Sequence, residues 1–321
     1  MPLSAPDKIT HVAIVGTGVI GAGWAALFLA RGLRVHAIDP APGAQERLHN
    51  TIRSMWTSLL ELGHTERPTL PLDHLSFAEA PNAALGAAQL VQENAPENLA
   101  LKRQILTQVE EWVPVETVIA SSTSALLIGD IQSGAQHPYR FLAAHPFNPP
   151  HILPLVEISG GPKTRPEILD WAMNFYGWLG KAPVRLSRQI EGHIAGRLGA
   201  AMWREAVSLV EQGVATVSDI DAAVRNGPGP RWASTGCHMT YHLGGGDGGM
   251  AHYLAHLGAS QQRRWDSLGT PDLTPELCKT LVEEVNIAAE GRNIASLVEE
   301  RDQRLIEIMR SRVNKHVKLT P

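Results

Sequence analysis

Two hydrophobic rhythms alternate along the first half of the chain. Short apolar or alternating runs of strand type occur at His11–Val15, Leu33–Asp39, Leu75–Phe77, Leu90–Gln92, Thr117–Ala120, Arg140–Ala144 and Leu155–Ile158. Between them lie stretches of helical period: Ile20–Arg31, which stops at Gly32, then Ala44–Leu62, Leu99–Val113 and Pro166–Leu179. Strands and helices alternating in this way predict an α/β fold with a parallel, doubly wound sheet covered by helices on both faces. AHPFNPPH (144–151) breaks the rhythm. Its prolines argue against a helix and against a central strand, and predict a stiff loop.

The pattern changes near Lys181–Gln189, after which strand-like runs become scarce. Gly192–Val214, Val217–Val224, Tyr253–Ala259, Pro275–Ala289 and Ile294–Arg312 read as helices, with Ser218 as a cap for the second. The expected division is therefore residues 1–188 as a dinucleotide-binding Rossmann domain and 189–321 as an all-helical domain. The tail Val313–Pro321 reads as loosely held.

Composition narrows the function classes. Of 321 residues, 44% are apolar and 19% charged, which supports a sizeable core rather than disorder. The net charge is −4, without long charged blocks, so neither nucleic acid nor an anionic membrane is the expected partner. The two cysteines, Cys237 and Cys278, form no CxxC pair. The N-terminus lacks the apolar segment of a signal peptide, and no run has the length of a membrane span. A cytoplasmic protein is the expectation.

The glycine pattern carries the first chemistry. Gly16-Thr-Gly18-Val19-Ile20-Gly21 follows a strand and opens a helix, and Asp39 closes the next strand. This is the context in which GxGxxG binds a dinucleotide. Gly16 permits a tight turn, Gly18 lets the backbone approach a pyrophosphate, and Gly21 lets helix and strand pack closely. The helix N-terminus offers unpaired N–H groups to the phosphates. Asp39 suits both ribose hydroxyls and would repel a 2′-phosphate, so NAD is preferred over NADP. The other reading is a glycine-rich structural turn.

Several spaced motifs together resemble the 3-hydroxyacyl-CoA dehydrogenase family over essentially the whole length: GTGVIGAGW (16–24), QENAPENLALK (92–102), ASSTSAL (120–126), HPFNP (145–149), LVEISGG (155–161) and GHIAGRL (192–198). The second half is most similar to the carnitine 3-dehydrogenase branch. The HPxNP form of the loop is shared with non-CoA members such as gulonate dehydrogenases, whereas CoA-dependent members read HFFNP. Pro146 thus points to a small free hydroxy acid, and Ser54–Leu75 offers few lysines for a CoA phosphate.

The resemblance implies NAD-dependent oxidation of the 3-hydroxyl of a short hydroxy acid, carnitine first, in a homodimer. It implies His145 as the base and Glu157, twelve residues on, as its orienting acceptor. That fits the chemistry: removing the proton of an alcohol near neutral pH suits an imidazole whose other nitrogen is held by a carboxylate. Each of the pair reads as lying at a strand end. Ser124 and Asn148 are implied as donors to the reacting oxygen. Glu93, Lys102 and Ser122 are implied near the nicotinamide end of NAD, although Glu93 and Lys102 also read as a solvated helix start. Where CoA-dependent members carry an asparagine before Arg197, this chain has Gly196, so a four-residue catalytic set does not carry over.

At the far end of the substrate the signal thins. A quaternary ammonium calls for aromatic faces, and Trp232, Tyr241 and Trp265 are candidates, as well as ordinary packing residues. Arg197 and Arg231 suit a substrate carboxylate or an ion pair. Pro228 and Pro230 read as a stiff GPGP turn. His238/His242 and His252/His256 are i,i+4 pairs, but neither belongs to HExxH and no cysteine pair completes a site, so no metal is expected. Three further readings stay open: a gulonate-type hydroxy acid dehydrogenase, a 3-hydroxyacyl-CoA dehydrogenase, and a crystallin-like protein that binds NAD(H) without turnover. Intact His145 and Glu157 argue against the last.

Overall fold

The apolar runs of the first half pair edge to edge because an isolated strand leaves its N–H and C=O groups unpaired. In the computed structural model, which describes residues 3–313, they form one eight-stranded sheet. The elements in chain order are β1 (His11–Val15), α1 (Val19–Ala30), β2 (Arg34–Ile38), α2 (Ala44–Glu61), β3 (Leu75–Ala78), β4 (Leu90–Glu93), α3 (Leu99–Glu110), β5 (Val118–Ser121), α4 (Ile128–Gln132), β6 (Phe141–Pro146), β7 (Leu155–Gly160), α5 (Pro166–Trp178) and β8 (Ala182–Arg185). The strand order is β3-β2-β1-β4-β5-β6-β7-β8. All neighbours are parallel except β6 and β7, which form an antiparallel pair. The order reverses between β1 and β4, the crevice where open α/β sheets bind ligands.

Both faces are covered. One carries a core of α1, α2 and α5 side chains, among them Trp24, Phe28, Leu48, Ile52, Phe175 and Tyr176. The other carries Leu106, Val109, Ile128 and Ile131. α1 is buried at every position from Gly21 to Ala30, as expected of a helix apolar on all sides.

Residues 193–313 continue as α6 (His193–Glu211), α7 (Val217–Asn226), α8 (Pro228–Thr235), α9 (Cys237–Gly244), α10 (Gly249–Asp266), α11 (Pro275–Ala289) and α12 (Ile294–Val313). The chain forms two compact units: the chain up to Gly196 together with the chain from Glu300 onward, and Arg197–Glu299. Apart from Val313, the tail expected to be loose lies outside the described residues.

The structure corrects four local expectations. β8 falls inside Lys181–Gln189, where only a change of character was read. It is an edge strand, and Pro183 is tolerated there because a proline cannot donate to a further neighbour. β6 runs through His145 into Pro146, so the first three residues of the proline-rich segment, Ala144 to Pro146, belong to the sheet. The cap of α7 is Thr216, which accepts from the Asp219 amide, while Ser218 lies within the helix. The GPGP segment starts α8: Pro228 occupies the first turn, where the missing N–H costs nothing.

Candidate active site

The glycine turn has the shape its sequence requires. Gly16 has φ +85°, and a Cβ there would lie 2.8 Å from the backbone carbonyl of Asn94. A Cβ on Gly21 would come within 1.9 Å of the Gly16 oxygen. Beside Gly18 none of the described residues lies within 4 Å of the Cβ position. No side chain caps the N-terminus of α1, and its first turn holds no acidic residue. Open space, free amides and a positive dipole end are what a pyrophosphate needs. Val19 is largely exposed at this helix start and Ile20 is half-buried.

Asp39 follows β2 and is fixed rather than free. Its Oδ2 accepts from the Thr17 amide at 2.7 Å and from the Thr17 hydroxyl at 2.9 Å, and its Oδ1 from the Ala41 amide at 2.9 Å. Partial burial acts to raise its pKa. These hydrogen bonds and the charge of Arg47 outweigh it and hold the carboxyl below its ordinary value. A carboxylate has about four acceptor positions, so one remains for a ribose. That position suits one ribose hydroxyl, and the negative charge disfavours a phosphate. Thr17, an unspecified position of the fingerprint, is the unanticipated member here.

The ends of β4 and β5 carry the next layer. Glu93 and Lys102 are not a solvated helix start: their side chains are 0% and 1% exposed and paired at 2.8 Å. Lys102 also donates to the Ala95 carbonyl, while Glu93 accepts from the Ala95 amide and the Ser121 hydroxyl. Removing one member of so buried a pair costs about 3–5 kcal/mol, so the pair braces the turn after β4. Ser122 donates to Asn94 Oδ1 and accepts from Trp24 Nε1 and Gln92 Nε2. Its hydroxyl is thereby used to capacity.

Glu97 was missed by sequence reasoning, although it lies within the quoted QENAPENLALK motif. One of its oxygens accepts from the Thr123 hydroxyl and from the amides of Ser124, Ala125 and Leu126. Burial acts to raise its pKa, but these bonds and the Lys102 charge hold it below the usual carboxylate value. Glu97 therefore sets the turn that presents the exposed Ser124.

His145 and Glu157 face each other as partners in the β6–β7 ladder. The twelve-residue spacing is the length of this hairpin, and Glu157 sits within β7 rather than at its end. Directly opposed residues approach within side-chain reach, and His145 Nδ1 lies 3.1 Å from Glu157 Oε2. The other carboxylate oxygen accepts from the amides of Ile194 and Ala195 at 2.7 and 3.0 Å, in the first turn of α6. Burial of Glu157 acts to raise its pKa. The His145 bond, the two amides and His193 outweigh it, so the carboxyl stays below its ordinary value. The imidazole thus has one nitrogen fixed by a charged acceptor and the other left for chemistry.

Beyond His145, Phe147 and Asn148 are exposed, and the Asn148–Pro149 peptide is cis. Two interactions hold this loop. Lys181 Nζ donates to the carbonyls of Pro150 and Leu153, each at 2.6 Å. Pro150 also packs on α1 at Gly23, where a Cβ would meet it at 3.2 Å. Neither Lys181 nor Gly23 was anticipated, since neither belongs to a motif of the loop itself.

In the unit Arg197–Glu299, Trp232 lies on α8 and Tyr241 on α9. The Tyr241 ring packs on Tyr253 at 5.2 Å. Among the described residues Trp232 and Trp265 have no ring contact with it, so no aromatic cage is assembled within this unit. Arg197 and Arg231 are exposed. His242 Nδ1 accepts from the Met250 amide, and His256 bonds the His252 carbonyl, so both pairs have local structural uses.

Comparison with known proteins supplies the remaining context. Residues 11–190 match the family "3-hydroxyacyl-CoA dehydrogenase, NAD binding domain", and residues 192–283 match "3-hydroxyacyl-CoA dehydrogenase, C-terminal domain". The chain is 47% identical to an L-carnitine dehydrogenase of Streptomyces griseus, over 96% of this chain and 91% of that protein. It is 44% identical to an L-carnitine dehydrogenase of Streptomyces coelicolor, over 96% of each. A solved structure of 5-formyl-3-hydroxy-2-methylpyridine 4-carboxylic acid 5-dehydrogenase, an NAD+-dependent dismutase, is similar with a TM-score of 0.81. It is 29% identical, covering 94% of this chain and 98% of that one.

Proposed function

Because the chain belongs to the 3-hydroxyacyl-CoA dehydrogenase family, we propose that it oxidises the 3-hydroxyl of L-carnitine to the ketone with NAD as oxidant. The observation that carries the mechanism is the His145–Glu157 pair, an imidazole held at Nδ1 by a buried carboxylate. His145 Nε2 takes the alcohol proton, and Glu157 stabilises the imidazolium that results. NAD, when bound, supplies the two-electron acceptor. Gly16, Gly18, Val19, Ile20, Gly21 and Asp39 hold its pyrophosphate and ribose, and Glu93, Lys102 and Ser122 brace its nicotinamide end. Ser124 and Asn148 donate to the reacting oxygen, where negative charge grows as the proton leaves.

The substrate assignment rests on the two carnitine dehydrogenases named above, alike over nearly the whole chain. By chemistry alone, Arg197 and Arg231 suit a carboxylate, and Trp232 and Tyr241 suit a quaternary ammonium. Residues 1–188 serve the cofactor, and 189–321 serve the substrate and association. Two copies of the chain pair in solution. Trp203, Val282 and Val285 are each at least half exposed, and an apolar groove lined by Val207, Ile220 and Leu281 lies beside them. Apolar surface of this kind usually marks an interface. Free thiols at Cys237 and Cys278 fit a reducing cytoplasm.

His145→Gln tests the base: turnover falls below detection while NAD affinity, by titration calorimetry, stays within about twofold of the parent, as expected when a group acts only in the transition state. Retained turnover overturns the assignment. A panel of L-carnitine, L-gulonate, 3-hydroxybutyrate and 3-hydroxybutyryl-CoA tests the substrate, with carnitine expected to give the highest kcat/KM. NADH binding without oxidation of any of them would point to a structural protein. Sedimentation is expected to give twice the chain mass.

A further inference from the structure

His193 belongs to the GHIAGRL motif and opens α6. It has φ +48°, a left-handed conformation uncommon outside glycine. Such backbone persists only where the surroundings over-determine it. The ring is 3% exposed and lies flat on His145, with centroids 4.7 Å apart and planes inclined by 9°. Its Nε2 is 3.0 Å from the Thr123 carbonyl. A carbonyl only accepts, so Nε2 carries the hydrogen. Nδ1 is buried and has no hydrogen-bond partner among the described residues.

We propose that His193 is a positioning residue for the oxidation: a neutral imidazole plate that sets the ring plane of His145 and ties it to the turn bearing Ser124. The inference rests on the reading of His145 as base. One turn of chain at the start of α6 then holds both halves of the pair. The amides of Ile194 and Ala195 fix Glu157, and the side chain just before them fixes His145. The Thr123 bond reaches the turn after β5, immediately before Ser124. A neutral plate also suits the charge that appears in the reaction. An imidazolium is attracted to a neutral aromatic face, whereas two stacked cations repel. Burial acts first to keep His193 neutral by lowering its pKa.

The test is kinetic, with two variants. His193→Ala removes both the plate and the bond to Thr123; His193→Phe keeps a flat face. The expected result for His193→Ala is a kcat roughly 10- to 100-fold lower, the scale of a misplaced catalytic group. KM for NAD and for the hydroxy acid should stay within about twofold, because only orientation in the transition state is lost. His193→Phe should recover most of the lost kcat. A folded His193→Ala enzyme with parental kcat overturns the proposal, as does a His193→Phe enzyme impaired as severely as His193→Ala. If His193→Ala does not fold, His193→Phe decides alone: kcat near the parental value supports the plate, and loss of turnover refutes it. Nitrogen NMR of histidine-labelled parent protein gives an independent readout: His193 should remain a neutral Nε2–H tautomer at the pH of turnover, and an imidazolium signal there refutes the plate. His145→Gln separates the two readings. If it keeps turnover, the base assignment falls and takes this one with it. If it is inactive while His193→Ala matches the parent, only the role of His193 falls.

Discussion

Glu157 is 1% exposed and still held as a carboxylate. Burying a lone charge is costly, so its acceptor positions must be filled. Three of about four are filled, by one imidazole and two helix-start amides, which makes the residue a rigid mount for His145. Glu157→Gln keeps the size but loses the charge and turns part of the group into a donor. In the comparable Asp-to-Asn change of a His–Asp pair, the rate falls by about 10⁴-fold through loss of the correct tautomer. Here a loss of roughly 10³- to 10⁴-fold in kcat is expected, with NAD affinity unaltered, measured by steady-state kinetics and calorimetry. Sequence alone marked both members of this pair. It did not mark Glu97 or Lys181, whose partners are mostly backbone groups, and backbone groups leave no sequence signature.

At the scale of elements, α1 fits closely against two neighbours. Gly21 meets the Gly16 carbonyl and Gly23 meets Pro150. Gly21→Ala would place a methyl carbon 1.9 Å from a backbone oxygen, so the turn or the helix must move. The expected outcome is a drop in stability of about 1–3 kcal/mol, the usual cost of overpacking, with NAD affinity at least tenfold weaker, checked by denaturant melts and calorimetry. Gly196→Ala is the contrasting case. It lies in α6 with nothing within 4 Å of its Cβ position, and alanine should stabilise the helix by about 0.5–1 kcal/mol. Element identities were legible wherever the hydrophobic period was strong. β8 and α8 were not, because their prolines read as breakers, and only the edge of the sheet and the first turn of a helix make those prolines harmless.

At the scale of the whole molecule, charge inside the larger unit sets its response to acid. Burial lowers His64 and His151 from 6.5 to about 4, helped by the charges of Arg31 and Lys181 near the first and of Lys181 and Arg301 near the second. Burial also lowers Lys181 from 10.5 to about 7. In each case the unfolded chain binds more protons than the folded one between the two values, so stability rises with pH across that window. For the two histidines the stability is fully present above 6.5 and is lost as pH falls through about 4. Denaturant midpoints measured from pH 7 down to pH 4 should therefore decline, and His151→Phe should flatten the decline. Lys181 acts in the same direction at higher pH, between about 7 and 10.5.

The sequence by itself determined the sheet-and-helix rhythm, the dinucleotide turn and the members of the His145–Glu157 pair. The first two depend on residue type at short spacing, apolar runs where both sheet faces are covered and glycine where a Cβ would collide; the pair was marked through the family motifs that carry it, and the antiparallel hairpin that sets the two residues opposite each other belongs to the fold. Only the tertiary structure decided which polar groups are braces and which are available. Lys102 and Glu93 turned inward onto each other, the Ser122 hydroxyl was used up, Glu97 closed on the turn before Ser124, and His193 came to lie flat on His145. The physical reason is common to all four. A polar side chain is committed by the partners that burial forces on it, and those partners come from other elements of the fold.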